Sequence, residues 1–111
     1  RVMNNADEVF LKNLTDFVLQ HLSDPEMSVN LITKHFNISR TLLYMNVKRI
    51  TDQTPSNFIL NIKMSQAKKM LLTTSMTSSE IADQLGYCNS NHFSRQFKEY
   101  YNTTPGKFRK Q

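Results

Sequence analysis

The chain contains one stretch twice. Shifting the numbering by fifty lays Val47-Lys48-Arg49-Ile50-Thr51-Asp52-Gln53-Thr54-Pro55-Ser56-Asn57-Phe58 on Phe97-Lys98-Glu99-Tyr100-Tyr101-Asn102-Thr103-Thr104-Pro105-Gly106-Lys107-Phe108 without a gap. Carried backwards, the same shift sets Leu43 on Phe93, Asn37-Ile38 on Tyr87-Cys88 and Leu31 on Ile81, so the repeat covers a whole supersecondary unit rather than a chance tetrapeptide. A chain of 111 residues then has room for one compact domain or two very small lobes sharing a core, with the same device in each half.

The device is clearest in the second copy, Thr77 to Arg109. Thr77-x-x-Glu80 is a capping-box signal, in which the threonine oxygen and the glutamate carboxylate satisfy amide donors at a helix start. Ile81, Ala82 and Leu85 place apolar groups on one face, and Gly86 follows where the chain can leave the helix through a left-handed residue. A second helix resumes at once: Phe93 and Phe97, four apart, give it an apolar stripe, while Asn91, His92, Ser94, Arg95 and Lys98 make the remainder polar and basic. Two short helices joined by a tight turn, the second presenting polar and cationic side chains outward, are what a helix-turn-helix needs to enter a major groove.

The first copy reads alike. Ser28 caps a helix with Leu31, Ile32 and Phe36 inward, Asn37-Ile38-Ser39 makes the turn, and Ser39 caps the next helix. Leu43, Val47 and Ile50 form its buried stripe, which leaves Arg40, Thr41, Tyr44, Met45, Lys48 and Arg49 outward, while Leu42 suits core or surface equally. Asp52 and Asn102 stand at the two helix ends, and Asp and Asn tolerate left-handed geometry better than other non-glycine residues.

Thr54-Pro55 and Thr104-Pro105 each pair a cap with proline at the first helical position. The first opens a helix running to about Leu72 or Thr73, with Phe58, Ile59, Ile62, Ala67, Met70 and Leu71 as its apolar side, and Thr73-Thr74-Ser75-Met76 breaks the chain after it. Roughly nineteen residues at 1.5 Å each span about 28 Å. That approaches the ~34 Å pitch of B-DNA, so a spacer of this length suits two readers in successive major grooves. The last pair opens a short helix in which Phe108 packs on Phe97 or Tyr100, and Lys107, Arg109 and Lys110 are exposed, as phosphate contacts or as a solvated tail. Ahead of the repeat, Asp7 to Leu22 carries Phe10, Leu11, Leu14, Phe17 and Val18 at threes and fours, and Ser23-Asp24-Pro25 ends it. This leading helix packs on the first repeat, couples to an upstream domain, or does both. The expected class is all-α: two helix-turn-helix subdomains bridged by a long helix, about seven helices in homeodomain-like lobes. Residues 1–8 are read as a linker from an upstream region and 9–111 as the domain, divided into a first helix-turn-helix at 28–53, a connecting helix at 54–73 and a second helix-turn-helix at 77–111.

Composition sharpens this. Two glycines, three prolines and abundant Leu, Lys, Met, Ala and Gln favour helix over strand. A mean hydropathy of −0.50 and the lack of any apolar run near eighteen residues predict a soluble protein without membrane contact. Charge is segregated: residues 1–27 hold two basic side chains against five acidic ones, and the rest hold twelve against four, within a net charge of +5. The repeated region is thus the basic part, and a basic face is a footprint for a polyanion as well as an ordinary solvated surface. Cys88 is the single cysteine, which excludes an internal disulfide and fits the reducing cytoplasm. No secretory signal is visible, and a start on Arg1 rather than Met suggests a piece of a longer protein lacking its sensor, although tag removal would leave the same start.

Catalysis has no foothold. No Gly-rich phosphate loop, carboxylate pair in an apolar setting or nucleophile elbow is present. Cys88-x-x-x-His92 offers two metal ligands, but His21 and His35 lie in other segments and no second Cys pair exists for structural zinc. Neither an enzyme, a cofactor nor a metal site is expected, and the six methionines read as core fillers.

These residues resemble the AraC/XylS-type bacterial transcription regulators. The stretch that carries the likeness is Ile81-Ala82-x-x-x-Gly86-Tyr87-x-x-x-x-x-Phe93-Ser94-Arg95-x-Phe97-Lys98, closing on Thr104-Pro105-x-x-Phe108-Arg109, with Ser39-Arg40-Thr41-x-Leu43 and Thr54-Pro55 in the first unit. The resemblance implies sequence-specific binding of double-stranded DNA to regulate transcription, as an activator controlled by an upstream sensor or receiver domain. It further implies a homodimer in the full-length protein and contact with RNA polymerase. The leading DEVFLKNLTDFVLQHLSDPEMSV is similar to the start of the output domain in hybrid two-component regulators of Bacteroides-like bacteria, which would imply control of polysaccharide-utilisation genes.

By the same resemblance, the base-reading positions of the second unit correspond to Asn91, His92 and Arg95, with Ser94 beside them. Arg95 can fork onto guanine O6 and N7, or form a phosphate or structural salt bridge instead; Asn91 can pair with adenine, and His92 can donate to a base or phosphate. In the first unit the positions are Thr41, Leu42, Tyr44 and Met45. The family often has arginine or another strong hydrogen-bonding residue near Met45, so weaker hydrogen-bonding readout is expected there, with thymine methyls as the natural counterpart of Thr41, Leu42 and Met45. Arg40, Lys48, Arg49 and Lys98, together with the helix starts at Ser39, Asn89 and Ser90, are expected at phosphate. Two further positions depart from the family: glycine is usual at Asp52 and Asn102, and arginine at Lys63. The rival expectation is a helical protein-interaction module that has lost specific DNA readout, and a third is an unspecific nucleoid-type binder.

Overall fold

The structure is a computed structural model, and it describes residues 3–111; of the expected linker 1–8, Arg1 and Val2 lie outside the described residues. Among the described residues there are seven α-helices and no strand: α1 Asn5–Gln20, α2 Val29–Phe36, α3 Arg40–Thr51, α4 Pro55–Thr73, α5 Ser78–Gln84, α6 Ser90–Tyr101 and α7 Pro105–Arg109. Two compact units are present. The first takes the chain through His21 together with Glu26–Ile62, and the second takes Leu22–Pro25 together with Lys63–Gln111. Helix α4 supplies its first half to one and its second half to the other.

In the first unit, α1 begins two residues before the expected start, because the Asn4 side chain accepts the Asp7 N–H at 2.8 Å and caps the helix there. It ends at Gln20, and His21 closes it by returning both its backbone N–H and its ring Nδ1 to the Phe17 carbonyl. Leu14, Phe17 and Val18 are buried, and Phe17 meets Phe36 edge-on at 5.7 Å, so the apolar face of α1 is covered by the first repeat. Asp7 is the one buried charged residue among those described, and it receives both terminal nitrogens of Arg49 on α3, at 2.9 and 3.0 Å. That fork holds the Asp7 carboxyl below the ordinary carboxylate range. A carboxyl whose pKa falls on folding stabilises the fold fully above its unfolded value, near 3.8, and loses that contribution as pH drops through the lower folded value. Urea denaturation from pH 5 to pH 3 is therefore expected to show a fall in midpoint for the natural protein that is shallower in Asp7→Asn.

In the second unit, Ile81, Ala82, Leu85, Phe93 and Phe97 are almost wholly buried. Phe108 packs on Phe97 with ring centres 5.8 Å apart, the first of the two expected partners, and Tyr101 stacks on Phe108 from 6.3 Å. On α4 the buried residues are Pro55, Phe58 and Ile59 in the first unit and Met64, Ala67 and Leu71 in the second. The apolar row thus steps five residues between Ile59 and Met64, where the helix passes from one core to the other. Ile62, at that crossing, and Met70, both expected inside, are half-buried.

The repeat holds in part. Helices α3 and α6 share the fifty-residue offset at every landmark: the caps Ser39 and Asn89, the buried pairs Leu43/Phe93 and Val47/Phe97, and the left-handed ends Asp52 and Asn102 at φ 65° and 60°. The preceding helices are offset by forty-nine: Ser28 matches Thr77 as cap, Ile32 matches Ile81 in the core, and left-handed Asn37 matches Gly86. The gapless backward extension, with Leu31 on Ile81 and Asn37-Ile38 on Tyr87-Cys88, is thereby corrected. The second turn holds one residue more between its left-handed position and the next cap. A capped helix start tolerates that insertion because its register is reset by the Asn89 side chain.

Candidate nucleic-acid interface

Each unit offers one helix with a buried stripe and an uncovered outer face. Ser39 and Asn89 open these helices by accepting the N–H three residues on, at 3.0 and 2.8 Å, so their side chains are engaged as caps. The backbone amides of the first turn, Ser90 included, point along the axis as oriented donors.

On α6 the residues Asn91, His92, Arg95 and Lys98 are exposed and Ser94 is half-buried. Behind them stands a support that sequence reading missed. The buried Tyr87 donates its hydroxyl to Gln96 Oε1, meets the His92 ring edge-on at 5.3 Å and carries the Lys63 ammonium 4.8 Å over its face. Burial pushes the Tyr87 phenol up to about 12 and draws the Lys63 ammonium below its ordinary value. Tyr87 thus stays a neutral hydroxyl donor to Gln96 in the middle of α6, while its ring packs against His92 and Phe93 in the first turn. Lys63, set where the family commonly has arginine, holds by cation–π attraction rather than by a fork of hydrogen bonds. The legible signal was Gly86-Tyr87 itself, an aromatic residue directly after the helix exit.

On α3 the residues Thr41, Leu42, Tyr44, Met45, Lys48 and Arg49 are all exposed, which places Leu42 on the surface rather than in the core. Arg40 donates to the Asn30 side chain on α2, Lys48 donates to the Asp52 carbonyl at 3.2 Å, and Arg49 is held by Asp7 while keeping 56% of its side chain exposed. A groove of about 550 Å³ lies along the start of α3, lined by Arg40, Thr41, Tyr44, Met45, Thr54 and Pro55. Helix α3 carries no acidic residue, and α6 carries Glu99 alone. A polyanion therefore meets little repulsion on either face.

One residue expected to be exposed, at phosphate or in a solvated tail, is reassigned. Arg109 turns inward, donating to the carbonyls of Leu71, Thr74 and Met76, so its guanidinium is tied to the end of α4 and the segment after it. No helix among the described residues is long and apolar enough to cross a membrane.

Comparison with known proteins agrees with this geometry. A family model described as a helix-turn-helix domain matches residues 32–111. The chain is similar to histidine kinase P4 of Formosa agariphila, with 28% identity over 106 residues that make up 96% of this chain and 8% of that protein. The chain spans less than a tenth of that relative's length. It is also similar to the C-terminal domain of the two-component response regulator yesN from Fusobacterium nucleatum, with a TM-score of 0.83 and 27% identity over 96% of this chain and 99% of that one. The fold is shared, at a TM-score of 0.83 and 23% identity over 97% and 96% of the two chains, with a Chromobacterium violaceum transcriptional regulator of the AraC-type DNA-binding-domain class. The matching family model and the matching response-regulator domain are helix-turn-helix DNA-binding domains of a non-catalytic kind. The chain belongs to the helix-turn-helix domain family: it is the DNA-binding domain of a transcription regulator, related to two-component response-regulator output domains and built on the AraC-type fold.

Proposed function

We propose that the domain recognises a two-part duplex site, with α6 meeting base edges through Asn91, His92 and Arg95, and α3 through Thr41, Tyr44 and Met45. Arg40, Lys48, Arg49 and Lys98, with the amides at Ser39, Asn89 and Ser90, meet phosphate. The observation that carries this reading is the shared register of α3 and α6, each buried on one side and open, acid-poor and basic on the other. In the whole protein, an upstream sensor or receiver would control this domain in the cytoplasm, the protein would bind as a homodimer, and contact with RNA polymerase would activate transcription. The likeness to a histidine kinase and to a response-regulator domain supports a two-component setting, and control of polysaccharide-utilisation genes is the narrower form of that proposal.

Selection of bound duplexes from a random pool, followed by footprinting, gives the site. On that site Arg95→Ala is expected to cost about 1–3 kcal/mol, and much less on random DNA. Equal losses on both would move Arg95 to the phosphate backbone. The uncovered Leu42, Tyr44 and Met45 favour one other reading, a protein-docking module. A salt titration separates the two, since DNA recognition requires log affinity to fall linearly with log salt, with a slope that counts the phosphates neutralised.

A further inference from the structure

Because α3 and α6 start at equivalent caps and end at equivalent left-handed residues, their outer faces can be compared position by position. Thr41 stands where α6 has Asn91, Leu42 where it has His92, and Met45 where it has Arg95. At positions 42 and 45 a side chain able to make directional hydrogen bonds to base edges is replaced by one that presents methyl or thioether surface, and at 41 an amide is replaced by a hydroxyl with a methyl beside it. Leu42, Tyr44 and Met45 are 44%, 48% and 60% exposed, although burying such groups is favourable wherever the fold allows it. Thr41 and Met45 are four apart and share the outermost row of the helix, and Tyr44 and Met45 line the groove beside it. Lys48 and Arg49 follow on the same surface, which Asp52 borders at the end of the helix, and Arg49 is paired with Asp7 while its side chain stays 56% exposed. An apolar centre in a cationic setting complements a ligand that joins a polyanionic frame to small apolar groups. In the major groove that apolar group is the C5-methyl of thymine, which marks one base alone.

We infer that the two readers use unlike chemistry: α3 recognises a thymine-rich half-site through its methyl groups, by Leu42, Met45 and the Thr41 methyl, while α6 recognises its half-site by hydrogen bonds. This rests on the DNA-binding reading above and names what one half of the site must contain. Specificity on α3 then comes from apolar burial, worth roughly four-fold in affinity for each methyl covered.

The test replaces thymine by deoxyuridine, which removes the C5-methyl and leaves the pairing edge and O4 in place. Substitution throughout the half-site under α3 is expected to weaken binding at least ten-fold, and the same change under α6 to weaken it less than three-fold. Met45→Ala and Leu42→Ala, both at exposed positions, should leave thermal stability unchanged and abolish most of the sensitivity to deoxyuridine under α3. Equal sensitivity of the two half-sites, or sensitivity that survives both substitutions, overturns the inference while leaving DNA recognition standing. A footprint confined to the α6 half-site, with affinity unmoved by Met45→Ala, overturns it in favour of a protein partner on α3. No salt-dependent, sequence-specific binding at all would bring down the DNA-binding reading, and this inference with it.

Discussion

Gly86→Ala is expected to lower folding stability by about 2–5 kcal/mol, read as a fall in the urea midpoint at unchanged slope. Two costs combine. Gly86 sits at φ 81°, in the left-handed region where an L side chain costs about 1–2 kcal/mol. An added Cβ would also lie 2.6 Å from the Leu22 carbonyl oxygen and 3.0 Å from that of Asp24. Both atoms are backbone, so neither can rotate aside, and relieving the overlap adds about 1–3 kcal/mol. Gly106→Ala is the control. That residue is in α7 with open space where the methyl would go, and alanine there is expected to add about 0.4–1 kcal/mol by restricting the unfolded chain. Opposite signs at the two glycines are the expected result, and equal small effects would refute the close approach at Gly86.

Arg109→Ala is expected to destabilise the second unit by about 2–4 kcal/mol, from charge-assisted hydrogen bonds whose individual worth of about 1.5–3 kcal/mol does not add. The guanidinium bonds Leu71 O at 3.0 Å and Thr74 O at 3.1 Å and reaches Met76 O as well. These are carbonyls at and beyond the end of α4, where a helix has no internal donor to offer. Lysine at 109 should restore less than half the loss, because an ammonium cannot reproduce a planar fork reaching three acceptors. Hydrogen exchange at the last turn of α4 should quicken in both variants, whereas the salt slope of DNA binding should stay as it is. A reduced slope with unchanged melting would return Arg109 to the phosphate-contacting set.

Helix ends were legible wherever the signal is local. Thr77-x-x-Glu80 forms both halves of its capping box, Thr54 and Thr104 cap helices that begin on proline, and Asp52 and Asn102 take the left-handed geometry that their side chains tolerate. The outer faces of α3 and α6 followed from the helical period, because Leu43, Val47, Phe93 and Phe97 could be placed inside. What escaped depends on partners distant in sequence. Nothing near Asp7 announces Arg49, and nothing near Arg109 announces Leu71, so one arginine read as a surface contact proves to be a structural tie. Met64 escaped because α4 serves two cores and its apolar row changes face partway along. The offset of forty-nine escaped because an inserted turn residue leaves the downstream identities in step.

The caps that bracket α3 and α6 leave each copy's helix ends independent of the outward residues that tie to nothing else among the described residues, Thr41, Leu42 and Met45 on α3 and Asn91 and Arg95 on α6. Substitution at those positions is expected to change neither the start, the end nor the packed side of the helix, so one copy can be rewritten without disturbing the fold of the other. The duplication thereby separates the ability to fold from the choice of what is read, and new specificity can arise one side chain at a time.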